Sequence, residues 1–304
     1  MARRRNRGRD VHGVLLLDKP IGITSNTALQ RVKRLFDARK AGHTGSLDPL
    51  ASGMLPICLG EATKISGYLL DADKRYRAVC KLGIKTNSGD ADGEIIEQRT
   101  VGRLDRTRVA EVLEGFVGRI TQIPPMHSAI KRNGVPLYKL AHQGIEVERE
   151  PREVEIHQVE LIRLEGDELE FDVHCSKGTY VRTLAEDIGE ELGCGAHIIA
   201  LRRTGVGVMN GSHMVDAETL DALAQRGHEA LDEILTPMED ALADWPVVRL
   251  SQDASYYLCQ GQPVFVPRLQ ERGLVRLFNG DAGFLGLGTV LDDGRIAPKR
   301  LVKT

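Results

Sequence analysis

A single carboxylate, Asp48, stands in a glycine-rich stretch that reads Gly-His-Thr-Gly-Ser-Leu-Asp-Pro-Leu-Ala-Ser-Gly from Gly42 to Gly53. Three glycines and a proline in these twelve residues predict a shaped loop rather than a helix or a central strand. Leu47 and Leu50 are apolar enough to dock that loop onto a core. A lone acid in a rigid loop is a candidate nucleophile or general base, although an aspartate before a proline more often opens a turn.

The whole string favours the catalytic interpretation of Asp48. The residues from His43 to Gly53 closely resemble the catalytic motif of the TruB-type pseudouridine synthases, and an ungapped match of this length is highly specific. The string Leu-Leu-Leu-Asp-Lys-Pro-Ile-Gly-Ile-Thr-Ser, from Leu15 to Ser25, resembles a second signature of the same family. The resemblance implies that Asp48 is the nucleophile.

The chemistry of this family explains why an ionised carboxylate is needed. Pseudouridine formation breaks the N-glycosidic bond of uridine, rotates the uracil and rejoins it through C5, so that no atom enters or leaves. A carboxylate can add to the sugar C1′, as in a retaining glycosidase, or to C6 of the ring, and the sequence leaves both routes open. In a closed pocket, a cation beside the carboxylate must keep it charged.

Tyr180 and Arg182 lie where a predicted strand, Leu169–Cys175, passes through Gly178 into a predicted helix. Along a continuing strand, side chains two residues apart share a face. Structural ion pairing would explain Arg182 on its own. The resemblance implies instead that Tyr180 packs against the target base and that Arg182 pairs with Asp48, which supplies the required cation.

Three further site residues follow from the resemblance. Tyr76 opens a predicted strand, Tyr76–Leu82, and the corresponding tyrosine of the family stacks on the target uracil. Leu201 matches an apolar contact to the uracil, and His43 is expected to act as a wedge when the uridine is flipped out. From the residues alone, β-propensity explains Tyr76 and core packing explains Leu201 equally well.

Composition limits the class of protein. The chain of 304 residues is 41% hydrophobic and 28% charged, which is typical of a soluble globular protein with one large and one small domain. No apolar run approaches the roughly 18 residues of a membrane span, and no signal peptide is recognisable. A net charge of -2 does not exclude basic patches that bind RNA.

The cysteine pattern indicates a cytoplasmic protein with reduced thiols and without a metal or cofactor. No C-x-x-C pair or histidine cluster accompanies the five widely spaced cysteines, which are Cys58, Cys80, Cys175, Cys194 and Cys259. The acids from Asn87 to Glu94 lack a complete calcium loop and predict a turn. The glycines from Gly205 to Gly211 do not fit a dinucleotide-binding motif.

The element pattern predicts an α+β fold, with a mixed, mainly antiparallel sheet flanked by helices. Thr24 and Ser25 are N-cap candidates for an amphipathic helix. Val154–Leu161 and Leu169–Cys175 alternate in polarity and are separated by a turn at Glu165–Glu168, which predicts antiparallel neighbours.

The sequence divides into three predicted segments, residues 1–9, 10–243 and 244–304. Residues 1–9, with five arginines, predict a basic disordered arm, and residues 10–243 are predicted to form the catalytic domain. Residues 124–151 predict an excursion from the sheet with a short helix near Leu137–Ala141, and the resemblance implies a thumb that grips an RNA stem-loop.

Residues 244–304 contain short apolar runs and an Asp293-Gly294 hairpin turn, which predict a small β-barrel. This segment is similar in position and size to the PUA-like RNA-binding domain of the family. An inert cap is the alternative interpretation of the segment.

The resemblance implies a tRNA pseudouridine synthase that acts on uridine 55 of the T-arm. We expect a monomer that needs no guide RNA, no membrane and no obligate protein partner. Two other classes remain as alternatives: a non-catalytic RNA-binding or tRNA-folding protein, and a nucleoside or glycoside hydrolase that would release free uracil. The joint presence of Asp48, Tyr76, Tyr180 and Arg182 favours catalysis of the isomerisation.

Overall fold

The structure is a computed structural model that describes residues 8–141, 143–280 and 283–303. Most of the arm predicted for residues 1–9 therefore lies outside the described residues. Arg9, which closes that arm, forms an ion pair with Asp232 and donates its backbone N–H to the carbonyl of Asp37. No helix in the described ranges is long and apolar enough to span a membrane.

The first half of the chain forms, in order, β1 (Gly13–Lys19), α1 (Ser25–Leu35), β2 (Ala41–His43), β3 (Ala51–Leu59), α2 (Ser66–Asp71), β4 (Lys74–Leu82), β5 (Ile84–Thr86), β6 (Ile95–Gln98), α3 (Arg106–Glu114), β7 (Gly118–Gln122), β8 (Lys131–Arg132), β9 (Val135–Pro136) and α4 (Leu137–Ala141). The second half forms β10 (Arg152–Glu165), β11 (Glu168–Cys175), α5 (Val181–Glu191), β12 (Ala196–Val206), β13 (Met209–Asn210), α6 (Ala217–Arg226), α7 (His228–Asp232), β14 (Val247–Leu250), α8 (Gln252–Cys259), β15 (Val264–Phe265), β16 (Leu274–Asn279), β17 (Phe284–Val290) and β18 (Arg295–Leu301).

A large mixed sheet organises the chain, with strand order β1-β3-β12-β4-β11-β10-β7. Strands β2 and β13 pair with β3 and β12 at its margins. The β3–β12 pair is parallel, with Ala51 opposite Leu201, and the other neighbours along this order are antiparallel. The α+β fold predicted from the sequence is therefore confirmed.

Alternating polarity explains how the sheet buries one face. Along β11, every second residue is buried, and α5 packs Leu184 and Ile188 into the same core as Phe171. The turn predicted at Glu165–Glu168 joins β10 to β11. The predicted N-cap at Thr24 is confirmed, because its side chain accepts a hydrogen bond from the Thr27 N–H at the start of α1.

The glycine-rich stretch is only partly a loop, which corrects the prediction from its composition. Gly42 and His43 belong to β2, and Ala51 to Gly53 begin β3, which lies between β1 and β12 in the sheet. Gly53 has φ +97°, and a Cβ there would lie 2.3 Å from the Arg203 carbonyl oxygen. The glycine therefore permits a close approach of two strands rather than ending one.

The C-terminal segment forms a five-stranded curled sheet in the order β14-β16-β17-β18-β15, in agreement with a PUA-like fold. The Asp293-Gly294 turn joins β17 to β18, as expected. Phe284 and Leu287 of β17 pack in one cluster with Leu16 and Met54 of the large sheet. This shared core anchors the small sheet, while the boundary between residues 243 and 244 stays a prediction.

Gly53→Ala tests the close approach of β3 to β12. We expect it to destabilise the protein by about 1–3 kcal/mol, because overpacking and a strained φ act together. Gly67→Ala in α2 is the control, since its Cβ would meet no atom within 4 Å and alanine favours helices. Urea unfolding measures both free energies, and equal stabilities of the two variants would contradict the role of Gly53.

Candidate functional site

A cavity of about 200 Å³ opens where the loop before β3, strands β4 and β12, and the start of α5 meet. It is smaller than the roughly 300–1,000 Å³ of sites for drug-sized ligands. Five of the six residues expected at the site line it, together with residues from the start of the predicted thumb; the full lining is Ser46, Leu47, Asp48, Tyr76, His127, Ser128, Ala129, Thr179, Tyr180, Val181, Arg182 and Leu201.

The loop that carries Asp48 is fixed by the start of α1. The buried Ser25 hydroxyl donates to the Leu47 carbonyl at 3.1 Å and accepts from the Leu47 N–H at 2.7 Å. The Gly22 N–H donates to the Pro49 carbonyl at 2.8 Å. These contacts explain why the two sequence signatures occur together, because Gly22 and Ser25 of the Leu15–Ser25 string hold the loop of the His43–Gly53 string.

Arg182 is the buried cation of the site. Its side chain is 7% exposed, and its Nη2 lies 3.0 Å from Asp48 Oδ2 and donates to the His127 carbonyl at 2.7 Å. Its Nη1 lies 3.4 Å from Asp90 Oδ2 and donates to the Ser88 carbonyl at 2.9 Å. The planar guanidinium therefore joins two other chain segments, the turn at Ser88–Asp90 and the stretch at His127, to the loop that carries Asp48.

The local backbone around Tyr180 differs from the sequence prediction. Tyr180 is the N-cap of α5 and Arg182 lies in the first helical turn, so the two residues do not alternate along a strand. The buried Gln122 side chain accepts from the Tyr180 N–H at 3.0 Å and donates to its carbonyl at 3.3 Å. These two hydrogen bonds hold the Tyr180 backbone and so place its ring at the cavity. Nothing in the sequence indicated this role for Gln122.

Arg203 is a positioning residue that sequence reasoning missed. It is 1% exposed and donates to the carbonyls of Met54 and Gly45 at 2.6 and 3.2 Å. Its guanidinium also acts electrostatically on the hydroxyl of Tyr76. Burial raises the pKa of Tyr76, and the guanidinium of Arg203 works against that rise.

Lys19 is a second buried cation near the site. Its ammonium donates to the carbonyls of Pro20 and Ile23 at 2.8 and 2.9 Å. Burial lowers the pKa of Lys19 to about 8, an effect that the charge of Asp48 opposes. The Leu-Leu-Leu-Asp-Lys-Pro signature contained this lysine, but only the fold shows its proximity to the carboxylate.

His43 lies on β2 and is not one of the cavity-lining residues among those described. Burial lowers the pKa of His43, and the nearby Arg203 guanidinium lowers it further. The imidazole is therefore neutral at pH 7. An uncharged ring next to the loop that carries Asp48 does not compete as a cation for that carboxylate.

The arrangement suits chemistry by one carboxylate. Of the described residues that line the cavity, Asp48 is the acid, while Asp90 lies behind Arg182. Hydrolysis of a glycosidic bond typically uses two carboxyl groups that flank the bond. Tyr76, Tyr180 and Leu201 supply apolar walls of the cavity. A base can stack on the two tyrosine rings.

Known proteins resemble the chain over nearly its whole length. Residues 33–181 match the model described as "TruB family pseudouridylate synthase (N terminal domain)", and residues 182–243 and 246–302 match two models of TruB C-terminal domains. A tRNA pseudouridine synthase B of Nitrosococcus oceani is 60% identical over 98% of this chain and 97% of that protein. The Stutzerimonas stutzeri protein of the same name is 53% identical over 97% of each.

Solved structures share the fold. A crystal structure of a Cbf5-Nop10-Gar1 complex contains a chain that is 28% identical, with a TM-score of 0.75 over 96% of this chain and 84% of that one. A structure of an H/ACA RNP bound to a substrate RNA containing 2′-deoxyuridine gives a TM-score of 0.74 at 24% identity, over 100% of this chain and 92% of that one. At this identity, the second likeness concerns the fold alone.

Arg182→Lys should lower kcat for pseudouridine formation by about 100-fold, because one ammonium cannot replace both ends of the guanidinium. Arg163→Lys is the matched control, since Arg163 also contacts carboxylates but lies at the far end of β10. Steady-state assays on tRNA measure both kcat values. If Arg182→Lys were no slower than the control, Arg182 would not hold the reacting carboxylate.

Proposed function

This chain belongs to the TruB family of pseudouridine synthases, and from that premise we propose that it converts uridine 55 of the tRNA T-arm to pseudouridine without a guide RNA. It is an isomerase that acts on tRNA. The observation that carries the proposal is the contact between Asp48 and the buried Arg182 at a cavity with aromatic walls.

Asp48 is proposed as the nucleophile. The Arg182 guanidinium stabilises the carboxylate and fixes its direction toward the cavity, so that little reorganisation is needed when the base arrives. The carboxylate then adds either to the sugar C1′ or to C6 of the uracil. Both routes end with the uracil attached through C5, and the contacts of Asp48 suit either one.

The target uridine must leave the RNA stack to reach Asp48. Flipping costs a few kcal/mol, and stacking on aromatic rings recovers about 1–3 kcal/mol per base. We assign Tyr76 and Tyr180 to the faces of the uracil and Leu201 to its apolar edge, because all three line the cavity. His43 is proposed to fill the space that the flipped uridine leaves in the RNA.

We propose that this chain binds the RNA with two segments of its own. The segment 124–151 forms a small unit of β8, β9 and α4 outside the large sheet, and its start reaches the cavity through Ser128 and Ala129. His142, the basic residue next to α4, lies outside the described residues. The curled sheet of residues 244–304 is proposed as the second RNA-binding surface, and no protein partner is required.

A tRNA-folding protein without catalysis is the alternative function. It would need an RNA-binding surface, but it would have no use for a buried guanidinium aimed at one half-exposed carboxylate. Burying an arginine is costly unless its partners repay the lost hydration. Three chain segments supply the partners that satisfy Arg182, and this arrangement favours the enzyme.

Asp48→Asn separates catalysis from binding. The amide keeps the shape of the side chain but loses its charge, so we expect turnover to fall by more than about 1,000-fold with little change in the Kd for a T-arm hairpin. Pseudouridine mapping and a filter-binding titration give the two quantities. Asp221→Asn, in α6 and outside the proposed RNA-binding segments, is the control and should retain full activity. Turnover of Asp48→Asn near the wild-type rate would refute the nucleophile assignment.

Substitutions of Tyr76 distinguish its ring from its hydroxyl. Tyr76→Phe should bind RNA almost normally, whereas Tyr76→Leu should lose about 1–3 kcal/mol of stacking. Because burial raises the pKa of Tyr76, its hydroxyl is neutral at pH 7 and is not itself a base. We propose that the hydroxyl orients a water, which accepts the C5 proton and passes it to solvent.

Tyr76→Phe should therefore slow the last step and expose an isotope effect with C5-deuterated uridine. Thermal melting of the variant controls for any loss of stability when the buried hydroxyl is removed. A wild-type rate without an isotope effect would leave only the stacking role.

A further inference from the structure

We propose that Asp73, His157 and His174 form a binding site for a divalent transition-metal cation of the Zn²⁺ class. Their three potential ligand atoms lie within 4.8 Å of one another. The wide sequence spacing of these residues predicted no metal site, because the histidines are separated by sixteen residues and the aspartate lies far upstream. Strand pairing brings the three together.

The distances suit a metal ion after a small adjustment. Asp73 Oδ2 lies 3.1 Å from His157 Nε2 and 4.0 Å from His174 Nε2. In a tetrahedral zinc site with bonds of about 2.0–2.2 Å, ligand atoms lie about 3.4 Å apart. The side chains are 28–45% exposed, so they can rotate to close the shell, and a water can take the fourth position.

A β-bulge places His157 in the cluster. Ile156 pairs with Cys175 and Gln158 with His174, so that His157 is the extra residue of β10. Bulges commonly re-aim a side chain, and here the two imidazole rings lie 4.8 Å apart between centroids. The bulge therefore places both histidines on one face of the sheet.

The cluster is separate from the uridine site. Asp73 directly precedes β4, in which Arg75 pairs with His174 and Tyr76 pairs with Val173. Because neighbouring residues of a strand point to opposite faces, Tyr76 and His174 lie on opposite faces of the sheet. A bound cation would join the start of β4 to β11 and β10, and it would touch no residue assigned to catalysis.

Nearby charges limit the affinity and the choice of metal. Arg75 donates to the Gly207 carbonyl at 3.0 Å, and the Lys74 ammonium donates to the carbonyls of Leu70 and Ala72. Asp71 pairs with Lys177 at 2.9 Å. Two cations beside a single carboxylate ligand favour micromolar rather than tighter binding. Two imidazoles favour Zn²⁺, Co²⁺ or Ni²⁺ over the oxygen-seeking Mg²⁺ and Ca²⁺.

The test is calorimetric titration of the full-length, tag-free chain with ZnCl₂, in a Cys259→Ser background that removes the exposed thiol. We expect one site with a micromolar Kd, and tetrahedral Co²⁺ absorption bands on titration with CoCl₂. Asp73→Asn, His157→Gln and His174→Gln should each weaken binding at least about tenfold, since loss of even an outer-shell group has that effect. His228→Gln, an exposed histidine outside the cluster, should bind like the parent.

A second measurement does not depend on calorimetry. Zn²⁺ at 100 times its Kd should raise the melting temperature of the parent by several degrees and that of the His157→Gln/His174→Gln double variant by much less. Binding that is equally tight in the parent and the double variant would overturn the site. A Kd weaker than about 1 mM in the parent would show that the cluster is only an Asp–His contact.

Discussion

The functional site depends on one buried guanidinium. Arg182 is almost fully enclosed, and a charge in such a place is tolerated only when its partners replace the lost water. Those partners come from the catalytic loop, the turn after β5 and the first residues of the segment 124–151. Satisfying one side chain thus fixes the three segments around the cavity.

A second buried arginine performs a similar task behind the cavity. Arg203 ties β3 to the loop that carries Asp48, while Gly53 lets the backbone of Arg203 approach within contact distance. The two arginines and Lys19 create a positive environment around Asp48 before any substrate arrives. Preorganised charge of this kind stabilises developing charge without the cost of reorienting water.

Local patterns predicted those elements that local physics determines. The cap at Thr24, the Glu165–Glu168 turn, the helix at Leu137–Ala141 and the Asp293-Gly294 hairpin follow from short-range hydrogen bonds and polarity. Contacts between residues far apart in the sequence determine the features that local patterns did not predict. These features are the strands at both ends of the glycine-rich stretch, the burial of Arg203 and the contact of Gln122 with Tyr180. The resemblance to a known family predicted the site residues, whereas only the folded structure shows their hydrogen-bond partners.

The most direct test of the central claim uses the pure chain and a T-arm hairpin whose uridine 55 carries a ¹⁴C label in the uracil ring, with no other protein or RNA. We expect the label to be recovered as pseudouridine at position 55 without free uracil, because an isomerase rejoins the base that it releases. Recovery of labelled free uracil would indicate a hydrolase. Unchanged uridine in a hairpin that the protein binds tightly would indicate an RNA-binding protein without catalysis.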